Sequence, residues 1–438
     1  MQPVITRRIA IVAAGSSLPP PGGSARVFFS SSVPSSRPSL PSTTPQPLSQ
    51  PKQTPPFPPR QPRRAFSLSA PFRQEATFES PPPSPPPPKK DNNLPPSGVS
   101  PLPSRSLISL SGPDAAKFLR GIITNELPTS ASTARYAAFL SAQGRILYDA
   151  IIYLDPRASP DQAARYLVEV STPEAANLVK HLKRYKLRSK CDISLLAHEE
   201  ASVFAVWGNP EARPEQSDSV RYYSDPRVPG WERGLVFGKG LDVTGLSLLP
   251  EETYHLVRYS AGVAEGQGEI IKDGGLPHES NMDLLGGVDF RKGCYVGQEL
   301  TIRTEHRGVV RKRILPAVVY TASAGSPPTS LRYEEGDLAG RVEPGSNVTV
   351  VGKKGRPVGK WLGGRGNLGL VLGRLEKMTD LKLPGEGAEG VGMGYKEGDE
   401  FEVEVKGGEG EKVRVKAFVP AWLREKLEEK MEKKGRRE

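Results

Sequence analysis

The residues best equipped for chemistry stand together at Arg291-Lys292-Gly293-Cys294-Tyr295-Val296-Gly297-Gln298-Glu299. Two glycines bracket the cysteine, which gives the backbone freedom for a tight turn and lets another chain or ligand come close. Gly297-Gln298-Glu299 followed by Leu300-Thr301-Ile302-Arg303 reads as a helix start. A thiol just ahead of a helix N-terminus, beside Lys292 and Arg291, has its thiolate favoured, and the thiolate is the form that attacks or ligates. Three readings stay open on these residues: a metal ligand, a nucleophile, or a buried inert cysteine. A nucleophile needs a base, for which His278 and His306 are the candidates, and no orienting third group is evident. A ligand role carries its own arithmetic. Iron–sulfur centres need about four ligands, so a cluster on Cys294 takes the others from a partner.

Carboxylates form the second set. Asp149 lies inside Ile146-Leu147-Tyr148-Asp149-Ala150-Ile151-Ile152-Tyr153-Leu154, an otherwise apolar strand, and an unpaired buried carboxylate is costly. It is therefore either at a pocket or satisfied by local donors. Pro277-His278-Glu279-Ser280-Asn281-Met282-Asp283 is a polar segment, either a surface loop or a second contributor to that pocket. The expectation is one cavity between two α+β halves, lined by Asp149, Glu279 and Asn281. Gly364-Arg365-Gly366-Asn367-Leu368-Gly369 fits the spacing of a dinucleotide fingerprint, but a β run follows where a helix should open, so it reads as a turn. Lys180, Lys183, Arg184, Lys186, Arg188 and Lys190 make a basic stretch that is either a solvated face or a patch for an acidic partner or polyanion.

The elements that must position these groups begin at Ser106. Leu107–Leu110 is a short apolar run, and Ser111-Gly112-Pro113-Asp114 opens a helix with Ala115, Phe118, Leu119 and Ile122 as its buried stripe. Tyr136–Leu140 and Ile146–Leu154 read as strands joined by a turn at Gln143-Gly144-Arg145, and Tyr166–Val170 as another. Ser171-Thr172-Pro173-Glu174 has capping-box spacing and starts a helix towards Arg184. A second α+β stretch covers Ala201–Trp207, Gly234–Phe237 and helical Glu251–Glu265. After Val309 short β runs at Ile314–Tyr320, Asn347–Val351, Gly369–Leu375, Glu400–Val405 and Lys412–Phe418 alternate with glycine-rich turns, the pattern of a small antiparallel barrel or sandwich. The fold class is α+β with that barrel at the C-terminal end. Its parts are an α+β region over 104–310, a barrel with loop insertions (321–345 and 381–398) over 311–420, and a charged helical tail over 421–438, read as solvated.

Composition separates this body from what precedes it. Residues 1–103 hold 27 of the 45 prolines, and residues 1–74 carry nine basic residues and no acid. The formal charge is +11, so the rest of the chain is near neutral, and a nucleic-acid surface is not implied. Arginine and serine without acids is the composition of a mitochondrial transit peptide, placed over 1–70; chloroplast and secretory leaders share parts of it. A Pro-rich spacer over 71–103 should be extended and form neither helix nor central strand. Two cysteines, Cys191 and Cys294, exclude a disulfide framework and a self-contained cluster site. No apolar run is long enough to span a membrane.

Lys292-Gly293-Cys294-Tyr295-x-Gly297-Gln298-Glu299 is similar to the signature of the YgfZ-type folate-binding proteins, relatives of the glycine-cleavage T protein. Gly144-Arg145-Ile146-Leu147-Tyr148-Asp149, Leu182–Arg188, Asp225-Pro226-Arg227, Arg258 with Gly262, and Pro277-x-Glu279-x-Asn281-x-Asp283 agree with it across residues 105–420. With a transit peptide ahead, the chain resembles the CAF17-like, mitochondrial iron–sulfur assembly members of that family. The resemblance implies a T-protein-like fold around a folate cavity. It implies working residues at Cys294, Lys292, Gln298 and Glu299, with tetrahydrofolate held by Arg145, Asp149, Glu279, Asn281 and Tyr295. It further implies matrix location, a cluster bridged through Cys294 only in complex, A-type scaffold partners, and [4Fe–4S] clients such as aconitase-like enzymes and lipoyl synthase. The T protein has adjacent aspartates where this chain has Tyr148-Asp149 and lacks the cysteine motif. An assembly factor, non-enzymatic or weakly enzymatic, is thus the first reading, and a tetrahydrofolate-dependent one-carbon transferase the alternative.

Overall fold

A computed structural model describes residues 93–435, apart from 158–163, 212, 239–246, 382–393, 397 and 409. The leader, most of the proline-rich spacer and part of the 381–398 insertion lie outside the described residues. The fold starts earlier than the composition suggested. Gly98–Pro101 is an edge strand, paired antiparallel with Ala201–Trp207. Proline is tolerated there because an edge strand needs no N–H on its open side.

Three sheets organise the chain. A five-stranded antiparallel sheet runs in the order Ala134–Leu140, Ile146–Leu154, Tyr166–Ser171, Arg105–Ser111, Asp192–Leu195. Alternation sends Tyr148, Ala150, Ile152, Val168 and Val170 to one face, where helices Ala115–Arg120 and Thr172–Lys186 cover them with Phe118, Leu119, Leu178 and Leu182. The intervening residues Asp149, Ile151, Tyr153, Leu167 and Glu169 therefore face the other way. They meet the second sheet, ordered Gly98–Pro101, Ala201–Trp207, Glu232–Phe237, Val220–Ser224, and helix Glu251–Ala261, in a core holding Leu107, Tyr136, Trp207 and Tyr254. Ser171 precedes helix Thr172–Lys186 as expected, but its side chain caps nothing; Glu174 bonds Lys272 and Asn177 instead of completing a capping box.

The third sheet is a closed six-stranded barrel: Lys312–Tyr320, Leu368–Arg374, Gly359–Arg365, Asn347–Val350, Phe401–Glu404, Lys412–Ala417. Gly366-Asn367 is the turn between two of these strands, as its context predicted. Gly359–Arg365 was not anticipated. The tail helix Ala421–Gly435 is docked as well as charged: Leu423 and Leu427 enter the barrel core and Trp422 Nε1 donates to the Ala261 carbonyl at 2.9 Å. Among the described residues no helix is long and apolar enough to cross a membrane.

Candidate functional site

The cysteine loop is clasped to the chain just after helix Ala115–Arg120. Lys292 Nζ donates to the carbonyls of Arg120 (2.7 Å), Ile123 (2.7 Å) and Asn125 (2.9 Å). Around it, Val296 N donates to Gly121 O, Asp289 N to Thr124 O, Thr124 Oγ1 to Gly287 O and Asn125 Nδ2 to Gly286 O. Lys292 was expected to favour the Cys294 thiolate. Its ammonium is instead turned to backbone oxygens, and burial pulls its pKa down to about 8. It anchors the loop.

Helix Gln298–Arg307 follows, with Gly297 at its N-cap in the left-handed region (φ +78°). This glycine abuts Gly144, the turn glycine of the Ile146–Leu154 hairpin (φ +80°), so closely that a Cβ on Gly144 would stand 2.8 Å from the Gly297 carbonyl and from Leu300 Cβ. A side chain fits at neither. Gly293 differs: a Cβ there would meet nothing within 4 Å. Cys294 is a free, exposed thiol at the crest of this loop. Cys191 is 3% exposed beneath helix Thr172–Lys186, and burial pushes its thiol up. Gln298 accepts from Tyr295 N at 3.2 Å, closing the loop on itself, and Glu299 is exposed in the first helical turn. Tyr295 is packed in the core, with the Lys292 ammonium 4.9 Å over its ring, and belongs to this loop.

The carboxylates expected to share a pocket are split between two places. Asp149, fully buried, accepts from Gly266 N (3.1 and 3.2 Å) and Gln267 Nε2 (3.0 Å). Around it the inner face of the two sheets carries a charged network that sequence reasoning found only in part. Arg105 Nε bonds Glu169 at 2.8 Å, Arg227 bonds Asp225 and lies 2.8 Å from Glu265, Arg233 meets Glu265, and Arg258 holds Glu269. Burial alone would raise the Glu265 carboxyl, but Arg233, Arg105 and Arg227 hold it well below the usual range. Arg105, Glu169, Arg233, Glu265 and Glu269 were missed. The signal existed for Glu169, a charge inside the apolar strand Tyr166–Ser171 like Asp149 in its own strand. Among the described residues, Arg105 Nη2, Arg233 Nε and Nη1, Arg258 Nε and Gln267 Oε1 are buried here with no hydrogen-bond partner. Orphaned donors and an orphaned acceptor beside a carboxylate suit a flat ligand bearing amide-like edges, as a pterin does.

Among the described residues, Glu279 and Asn281 share no hydrogen-bond partner with Asp149. Asn281, itself at φ +60°, donates to Ile314 O and accepts from Arg313, which also bonds the His278 carbonyl and grips Asp283 at 2.9 and 3.0 Å. Glu279 accepts from Leu276 N, with Lys312 3.6 Å away. Lys430 of the tail helix reaches Asp283 (2.8 Å) and Glu305 (2.6 Å), and Glu305 pairs with His278. His278, Asp283 and Glu305 have the side-chain types and spacing of a cation site, but Arg313 and Lys430 already supply its positive charge. The segment is a joint between the α+β body, the barrel and the tail. Arg145 likewise serves the backbone, donating to Gly274 O at 2.9 Å. His278 is buried in this joint, and His306 stands eight residues along a helix from Gln298, about 12 Å by helical rise. Neither is placed as a base for Cys294.

The fold matches a solved structure, the glycine cleavage system aminomethyltransferase T from Bartonella henselae, at TM-score 0.51 and 12% identity, over 76% of this chain and 87% of that one. Residues 311–425 match the family described as CAF17, C-terminal beta-barrel domain. These define the class: an aminomethyltransferase-T-like α+β body closed by a CAF17-type barrel. Two curated proteins carry the comparison further, both called "Iron-sulfur cluster assembly factor IBA57 homolog, mitochondrial". One, from Chaetomium globosum, is 49% identical over 375 residues, covering 76% of this chain and 85% of its own; the other, from Pyricularia oryzae, is 48% identical over 346 residues, covering 76% and 86%. The chain belongs to the IBA57 family of mitochondrial iron–sulfur cluster assembly factors.

Proposed function

We propose that this chain acts in the mitochondrial matrix, late in [4Fe–4S] maturation, by contributing Cys294 as one ligand of a cluster shared with an A-type scaffold protein. The observation that carries the reading is the exposure of Cys294 on a loop fixed at both ends, by Lys292 before it and by the Gly144–Gly297 contact after it. One accessible thiol cannot close the coordination of a cluster, so the remaining ligands come from the partner and the loop is an interface. The cluster is cargo, passed on to clients of the aconitase and lipoyl synthase type.

Tetrahydrofolate, in this reading, occupies the inner face beside Asp149, where Arg105, Arg233 and Gln267 present the unpartnered atoms. There it would supply a one-carbon carrier or a reporter of folate supply; Asp149 would orient its ring through the amide edge. The same orphaned atoms favour the second reading, a tetrahydrofolate-dependent one-carbon transferase. A deletion strain separates the two. With Cys294→Ser, aconitase activity and protein lipoylation should stay low, whereas Asp149→Ala should restore them at least in part. Full rescue by Cys294→Ser together with failure of Asp149→Ala would overturn the ligand role in favour of folate chemistry.

A further inference from the structure

Helix Thr172–Lys186 buries Ala175, Leu178 and Leu182 against the five-stranded sheet. On the opposite face, three and four residues apart, stand Lys180, Lys183 and Arg184, all exposed, and exposed Arg188 and Lys190 follow the helix exit. Lys180, Lys183, Arg184, Lys186, Arg188 and Lys190 make no ion pair with any described carboxylate. At the helix exit, Asp114 accepts from Lys190 N at 2.7 Å. Cations in a last helical turn complement the helix dipole, which accounts for Lys183, Arg184 and Lys186. It does not account for Lys180, Arg188 and Lys190.

Nor does it account for Leu187. This leucine ends the helix at φ +46° and ψ −110°, a region that L side chains rarely adopt. It is 88% exposed, more than any other large apolar side chain among the described residues. Glycine is the residue that adopts a positive φ without a steric cost. A leucine here is unfavourable twice over for the folded chain alone, in strain and in apolar exposure.

We propose that this helix exit docks on an anionic lipid bilayer, with Leu187 entering the acyl boundary and Lys180, Lys183, Arg184 and Arg188 meeting phosphate headgroups. The residue types choose among polyanions. Protein interfaces are depleted in lysine, and leucine is under-represented among their hot spots. Single-stranded nucleic acid is held by exposed aromatic platforms, and the aromatic at hand, Tyr185, is half-buried and stacked on His181. A protruding aliphatic ringed by flexible cations suits a membrane surface, where the charge attraction acts within a Debye length.

The test is co-sedimentation of the full chain with vesicles of phosphatidylcholine alone or mixed with phosphatidylglycerol, at low and high salt. The basic leader contributes equally to every variant, so differences between variants report the helix. Binding should require phosphatidylglycerol and fall by about five-fold for each cation removed, hence roughly 100-fold for Lys180→Gln/Lys183→Gln/Arg184→Gln. These positions are exposed, and unchanged thermal unfolding of each variant confirms the fold. In a Leu187→Trp chain the added fluorescence, after subtraction of the parent's, should shift to the blue on adding the anionic vesicles. Equal sedimentation of the triple variant and parent, or no blue shift, would overturn the proposal. Retention on immobilised polyglutamate without vesicle binding would also overturn it, assigning the patch to an acidic protein.

Discussion

Replacing Lys292 by methionine keeps most of the stem and removes the ammonium that three carbonyls share. Arg120 is exposed, so its carbonyl can regain water. Ile123 is 0% and Asn125 6% exposed, so their carbonyls lose a partner in place. A buried acceptor left unmet costs about 1–3 kcal/mol. Against this stands the relief of burying a cation, the effect that pulls the Lys292 pKa down to about 8. The net is a loss of about 2 kcal/mol, concentrated in the loop. Urea unfolding should show a lower midpoint at unchanged slope. Amide exchange over 290–297 should quicken about 30-fold, while the barrel stays protected. Lys292→Arg should not rescue, because a planar guanidinium cannot aim three donors at carbonyls converging on one point. If Lys292→Met left both stability and loop exchange unchanged yet stopped cluster delivery, Lys292 would be a chemical participant and the anchor argument would fail.

Three other outcomes follow from the same geometry. Gly144→Ala and Gly297→Ala should each lower the melting temperature, from backbone strain and the contact between the two turns, whereas Gly293→Ala should leave it unchanged; equal effects at all three would contradict this. Arg313→Met should cost about 1–3 kcal/mol, because buried Asp283 loses two hydrogen bonds but keeps Lys430, and Lys430→Ala, a third exposed, clearly less; denaturant midpoints decide. Burial, with Arg258 beside it, pulls His255 down to about 3, so the folded ring resists a proton that the unfolded one takes at its ordinary 6.5. Its contribution is complete above pH 6.5 and is lost as pH falls towards 3, and His255→Gln should flatten the stability profile over the upper part of that window.

What the residues revealed in advance depended on whether their partners were near in sequence. Strand alternation, the helix after Gly297 and the barrel strands are local patterns, and they were readable. Gly359–Arg365 escaped because its glycines and a bulge between Trp361 and Gly363 erase the period of two. Lys292 was assigned to its neighbour Cys294, since nothing local tells that Arg120 to Asn125 will fold beneath it. Asp149 and Glu279 were joined in one pocket because both are carboxylates in suggestive settings. Their true partners, Gly266-Gln267 and the Leu276–Lys312 region, are set by how the sheets and barrel meet. Glu169 needed only the rule already applied to Asp149.

The most direct test of the account is the visible spectrum and iron content of the purified chain mixed with a cluster-loaded A-type scaffold protein. Alone, the chain should be colourless and iron-free. The mixture should yield a complex whose spectrum differs from that of the scaffold by itself, and Cys294→Ser should abolish that difference while retaining native unfolding behaviour. An unaltered spectrum from the Cys294→Ser mixture, at equal iron, would contradict the shared-ligand role.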